Sequence, residues 1–302
     1  MLLALAASPG PAPAGSAPGE HARSCARIVQ RHLTARRPLA LRKINFFLFD
    51  AAGRGCDALV REFLDAGASV AARDRSGNTA LSIAAKMGHA TTVELLVAAG
   101  ADIDHQNLAG SSPLLRAVTD GRRRAAKALL AAGADPNLGN SRGITPAITA
   151  AYNGEARMLE MLLEAGADPA VADATGKGAI VYAAGRGYTR MVKRLLAAGI
   201  DPARAYGNDL TALMWAAGHS NDVPEAEGLA TVEALLAAGA PVGPADNRGR
   251  TALMIAAGRG HAAIAARLIA AGADPAARDH EGRTAADLAA TDEVRVVVGD
   301  VE

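Results

Sequence analysis

The sequence predicts an all-α solenoid of stacked helix–turn–helix units, and three observations predict it. A short pattern recurs every 33 residues, a helix-capping hydroxyl opens most copies, and glycines fall at fixed offsets inside each copy. Composition agrees: 50% of the 302 residues are apolar but only 3% are aromatic, so many thin Ala/Leu contacts suit the chain better than one large core.

The pattern reads Thr79-Ala-Leu-Ser-Ile-Ala-Ala, Ser112-Pro-Leu-Leu-Arg-Ala-Val, Thr145-Pro-Ala-Ile-Thr-Ala-Ala, Gly178-Ala-Ile-Val-Tyr-Ala-Ala and Thr211-Ala-Leu-Met-Trp-Ala-Ala, each 33 residues after the last. Counting back reaches Phe46-Phe-Leu-Phe-Asp-Ala-Ala; counting on, a step of 40 reaches Thr251 and a step of 33 reaches Thr284. Such periods mark arrays in which no unit buries its apolar stripe alone. About seven full units are expected, beginning near 41, 74, 107, 140, 173, 206 and 246, with a truncated C-terminal cap from 279.

Each position has a physical reason. The Thr or Ser hydroxyl accepts from free N–H groups at a helix start, and Pro113 and Pro146 follow at the first-turn site where a missing N–H costs nothing. Residues two, five and six after the cap, such as Leu81, Ala84 and Ala85, form a narrow buried stripe. Glycines such as Gly88 and Gly121 end the first helix. A second helix, marked by pairs such as Leu95–Leu96 and Leu162–Leu163, ends at Gly100 and Gly166, and a turn glycine such as Gly110 precedes the next cap.

These residues resemble the ankyrin repeat, through Asp74-Arg-Ser-Gly-Asn-Thr-Ala-Leu-Ser-Ile-Ala-Ala-Lys-Met-Gly-His and Asp246-Asn-Arg-Gly-Arg-Thr-Ala-Leu-Met-Ile-Ala-Ala-Gly-Arg-Gly-His, over about residues 46–291. The resemblance implies a protein-binding module with a concave groove lined by first helices and turn tips. Several units depart from the pattern. Gly178 replaces the capping hydroxyl, Tyr206-Gly-Asn-Asp replaces the usual turn, and seven extra residues lie within 219–228, read as a loop. The stretch from Asp292 is too short for a normal second helix.

In that groove, the positions four, seven and eight after the cap share one face. They place Tyr152, Tyr182 and Trp215 in three consecutive units, with Arg116, Asn153, Arg186, His219 and Arg259 alongside. Trp, Tyr and Arg are enriched among interface hot spots, so these eight are the candidate partner-binding residues. Packing between units explains Tyr182 and Trp215 equally well, and the turn tips, Lys177 and Arg248 among them, read as solvated.

The N-terminal region differs. Residues 1–19 are an apolar start followed by a flexible Pro/Ala/Gly run, with Ala12-Pro-Ala as a candidate signal-cleavage triplet. Residues 20–43 form a basic linker with a short helix, in which Ala22, Ala26, Val29 and Leu33 share one face and Arg23, Arg27 and Arg31 another; residues 44–302 are the array. Seven basic residues lie within 21–43 without an acid, leaving 25 basic and 30 acidic residues outside 20–43. Cys25 and Cys56 are too few for a disulfide framework or a zinc site, and whether they pair is left open.

No phosphate loop, nucleophile elbow or zinc-protease motif occurs. The expectation is a monomeric, non-catalytic scaffold for a protein partner, without catalytic residues, cofactor, metal or small-molecule substrate. Two alternatives stand beside it: an exported inhibitor or protector of one enzyme, and an adaptor tethered to a membrane surface or nucleic acid by residues 20–43. Aromatics that would stack bases are missing from that arm. The location is cytoplasmic, or exported if residues 1–14 are a truncated signal.

Overall fold

A computed structural model describes residues 18–33, 41–219 and 223–299. The chain divides into two compact units, Met1–Pro146 and Ala147–Glu302. Residues 1–17 lie outside the description, as do the expectations of a signal peptide and flexible segment made for them.

The first unit begins with α1 (Pro18–Leu33) and continues in helix pairs: α2 (Leu41–Arg54) with α3 (Asp57–Asp65), α4 (Ala80–Met87) with α5 (Ala90–Ala98), and α6 (Pro113–Thr119) with α7 (Arg123–Ala131). First helices pack in sequence, α2 on α4 and α4 on α6. The second unit opens within α8 (Pro146–Asn153), paired with α9 (Ala156–Glu164), and continues with α10 (Ala179–Gly185) and α11 (Thr189–Ala197). A small hairpin, β1 (Ala205–Tyr206) and β2 (Leu210–Thr211), leads into α12 (Ala212–Ala217) and α13 (Glu225–Ala237). Then come α14 (Ala252–Arg259), α15 (Ala262–Ala270), α16 (Ala285–Leu288) and α17 (Asp292–Gly299).

The periodic residues do what their chemistry allows. The hydroxyls of Thr79, Ser112, Thr211, Thr251 and Thr284 each accept from the backbone N–H three residues on. Gly88 ends α4 in the left-handed region at φ 88°, where an L side chain would be strained. The expected stripe is the core: Leu81, Ala84 and Ala85, and again Leu253, Ala256 and Ala257, are 0% exposed. Small side chains there let neighbouring helices approach closely.

The turns between units are built on a buried or half-buried carboxylate or amide. Asp74 Oδ1 accepts from the N–H groups of Ser76 and Asn78, and Asp246 Oδ1 from those of Arg248 and Arg250. Asn107, Asn140, Asp173 and Asp279 repeat the arrangement in their own turns. Tyr206 holds this place in the sixth turn and offers no such acceptor, and there Asn208 and Asp209 sit at φ 64° and 60°.

Three expectations are corrected. Ala22 and Ala26 of α1 are exposed and Val29 only half-buried; α1 docks instead through Ile28, 0% exposed, and through His32, whose ring meets Phe47 and Phe63 at 5.4 and 5.2 Å. The inserted stretch is not all loop: residues 225–228 belong to α13, which has 13 residues against nine in α11 and α15, while 220–222 lie outside the description. The last unit does form a second helix, α17, with Val294 and Val298 buried; its first helix is the shorter one, at four residues. Cys25 and Cys56 are joined in a disulfide, which fastens α1 to the start of α3.

Candidate functional site

The side chain four residues after one cap packs over the residue seven after the preceding cap. A Cβ added to Gly53 would lie 3.1 Å from Ile83 Cγ2; one on Gly218 would lie 2.7 Å from Ile255 Cγ2; one on Gly185 would lie 3.4 Å from Trp215 Cε3. Glycine at the seventh position therefore gives the next unit's large side chain a bed. Tyr152 occupies that seventh position on α8, so Tyr182 of α10 has no bed to drop onto. The two rings meet edge to face, centroids 5.7 Å apart, and Tyr152 is left 49% exposed.

Charged groups complete the surface. The Arg186 guanidinium lies over the Tyr152 ring at 4.3 Å from its centroid. Lys177 Nζ, on the turn before α10, lies 5.1 Å from the Trp215 ring centroid and 6.0 Å from that of Tyr182. Such cation–ring contacts contribute about 0.5–1 kcal/mol each at exposed sites. Tyr182 is the fixed member: its hydroxyl donates to Asp173 Oδ2 at 2.6 Å. Burial, then the adjacent carboxylate, pushes that phenol up to about 12. Burial alone would raise the Asp173 carboxyl, but hydrogen bonds from Tyr182, Thr175 and Lys177 outweigh it and hold it below the ordinary range. The Trp215 indole N–H is buried without an acceptor among the described residues.

The eight expected residues separate accordingly. Tyr152, Tyr182, Arg186 and Trp215 lie on one connected surface. Asn153 and Arg259 are exposed near the C-terminal ends of α8 and α14. Arg116, in the first unit, is half-buried and turned inward, donating to Asn78 Oδ1 and, at 2.7 Å, to Ser82 Oγ. Burial lowers its guanidinium from the ordinary value. His219 does not face solvent: it is 1% exposed and stacks on His261, ring centroids 4.0 Å apart. Burial and the neighbouring His261 lower its imidazole below the usual range. Lys177, expected as a solvated tip, instead lies over the Trp215 ring; its place one residue before the cap position is shared by other tip residues, so spacing alone does not single it out.

No group of three or more His, Cys, Asp or Glu able to hold a metal occurs among the described residues, and no described helix is long and apolar enough to cross a membrane. The surface offers aromatic faces with two cations over them, while the Trp215 indole N–H lies beneath it. The family model for ankyrin repeats, in three copies, matches residues 48–140, 114–206, 148–225 and 223–298. The chain therefore belongs to the ankyrin repeat family, whose repeats are in general protein–protein interaction modules and typically non-catalytic scaffolds. No curated protein matches the chain.

Proposed function

We propose that this protein is a non-catalytic scaffold that binds a protein partner through the groove face of its first helices and turn tips. Tyr152, Tyr182, Trp215, Arg186 and Lys177 form the anchor, with Asn153 and Arg259 as flanking polar contacts. The observation that carries the reading is Tyr152. An aromatic ring 49% exposed, yet held between Tyr182 and Arg186, is a preformed hot spot that loses little side-chain freedom on binding. Arg116 acts as an internal strut and His219 as a buried packing residue, so neither belongs to the anchor.

The test is affinity capture by the intact protein beside a Tyr152→Ala/Tyr182→Ala/Trp215→Ala variant checked for helicity by circular dichroism. Loss of a captured protein by the folded variant supports the anchor; equal capture refutes it.

One observation favours the exported alternative. A disulfide between Cys25 and Cys56 persists in oxidising compartments and is rare in reducing ones. On this reading the scaffold works outside the cytoplasm as an inhibitor or protector of one enzyme. Thiol alkylation and mass spectrometry of the protein from its native source would find the pair blocked; two freely alkylated cysteines would remove the support.

A further inference from the structure

We propose that the first unit carries a docking site of its own, for an acidic peptide segment with an apolar anchor side chain. The site is a hollow of about 810 Å³ where α2, the turn at 72–76 and Ile83 of α4 meet.

Its wall is apolar and its rim cationic. Phe46, 56% exposed, and Phe49 project from α2 beside Ile83, while Phe47 points the other way, against His32 and Phe63. Phe46 is thus not needed to dock α1. Arg42, Arg73 and Arg75 are exposed on the rim, and none has an acceptor among the described residues. The acids nearby are already satisfied. Asp50 pairs with Arg31 and Arg54, and Asp74 accepts from the Ser76 and Asn78 backbone and the Asn78 side chain. Three guanidiniums without acceptors among the described residues, around one exposed and one half-buried phenyl ring, are complementary to negative charge and an apolar side chain. A neighbouring hollow of about 600 Å³ shares Arg31, which is paired with Asp50, and adds Arg23 and Arg27, which have no acceptor among the described residues, so the cationic strip continues along α1.

The observations favour a peptide. A bilayer presents its charge as a sheet of headgroups, whereas the hollow places an apolar wall inside a ring of cations. Single-stranded nucleic acid calls for successive stacking rings, and here one ring is exposed and the next half-buried. A peptide also sets an apolar side chain for the phenyl wall among carboxylates for the rim. The chain's own residues 1–17 and 34–40 contain no acidic side chain and lack this complementarity.

The test is fluorescence anisotropy of the full chain with a labelled peptide, Glu-Asp-Glu-Phe-Asp-Leu-Glu-Asp-Glu-Gly, at low and moderate salt. Reversing the rim, Arg42→Glu/Arg73→Glu/Arg75→Glu, should raise Kd about tenfold or more, and Phe46→Ser about threefold. Arg123→Glu/Arg124→Glu, on exposed positions of α7, should change Kd less than about twofold. All these positions are exposed, and circular dichroism checks that each variant stays folded. The proposal is overturned if the α7 control weakens binding as much as the rim variant. It is equally overturned if a peptide with Phe and Leu replaced by Ser binds as well. Tighter binding of a ten-nucleotide DNA strand or of phosphatidylserine vesicles would also overturn it, as would no peptide binding at all.

Discussion

Tyr206 stands where a side chain at Gly178 would have to go: a Cβ added to Gly178 would lie 2.9 Å from Tyr206 Cε1. Two departures from the repeat, a missing cap hydroxyl and a missing turn acid, are thus one packing arrangement. Gly178→Thr restores the consensus residue yet should destabilise the second unit, by about 1–3 kcal/mol from overpacking. Gly178→Thr/Tyr206→Asp should recover most of that loss. Urea unfolding of the three proteins decides it; a stabilised single variant would contradict the pairing. The Tyr206 hydroxyl is buried without a partner among the described residues, so Tyr206→Phe should be neutral or stabilising by about 1 kcal/mol.

The stacked pair His219 and His261 gives a pH dependence with a definite sign. Burial and then His261 lower the His219 imidazole, while the Ala216 and Val223 backbone and Glu225 oppose the shift. The unfolded chain then binds a proton that the folded chain refuses. Stability from this residue is complete above the ordinary value of 6.5 and falls as pH drops below it towards the folded value. Thermal unfolding from pH 8 to 5 should show Tm falling below about pH 6.5, with a shallower fall in His219→Asn. His89, lowered mainly by burial, adds a drop of the same sign in the first unit. An identical profile in His219→Asn would rule out the assigned role.

The Cys25–Cys56 bond closes a span of 31 residues. Loop-closure entropy for that length corresponds to about 3–4 kcal/mol. Reduction, or Cys25→Ser/Cys56→Ser, should lower the stability of the first unit by roughly that amount or somewhat less. It should also raise hydrogen exchange in α1, while the second unit stays unchanged. Unaltered exchange in α1 would mean that Ile28, His32 and the Arg31–Asp50 ion pair hold it unaided.

Turn chemistry supplies a matched pair of substitutions. Asp246 is 5% exposed and Arg250 donates twice to its Oδ2, so Asp246→Ala should cost about 1–3 kcal/mol by orphaning the donors. Burial would raise that carboxyl, but the hydrogen bonds from Arg250 and Arg248 prevail and lower it. Its contribution is therefore present above 3.8 and lost as pH falls through the folded value. Asp209 is exposed in the left-handed region at φ 60°, and Asp209→Gly should stabilise by about 0.5–1 kcal/mol. Chemical denaturation measures both; opposite signs from those given would contradict the account of the turns.

Features that repeat were legible in the sequence because each is local. A hydroxyl caps the helix it opens, a glycine turns the chain at its own φ, and Leu81 with Ala84 and Ala85 declares a face by spacing alone. What escaped depends on residues brought together over distance. Nothing local couples Cys25 to Cys56, Tyr206 to Gly178, or His219 to His261. The face of α1 was misjudged because its alanines look apolar, whereas docking depends on Ile28 and on two phenyl rings supplied by α2 and α3. Arg116 was read as a contact for partners because its acceptors, Asn78 and Ser82, lie one repeat earlier. The exposed Tyr152 was legible as a position, but its clamp by Arg186 was not.

Central to the proposed function is the anchoring of a protein partner by the Tyr152 surface. It is tested most directly by the Kd of the captured partner for intact protein and for Tyr152→Ala, measured by calorimetry. A hot-spot aromatic predicts weakening by about tenfold or more, with unfolding unchanged. A Kd within about twofold of the intact protein would place the partner elsewhere and contradict the account.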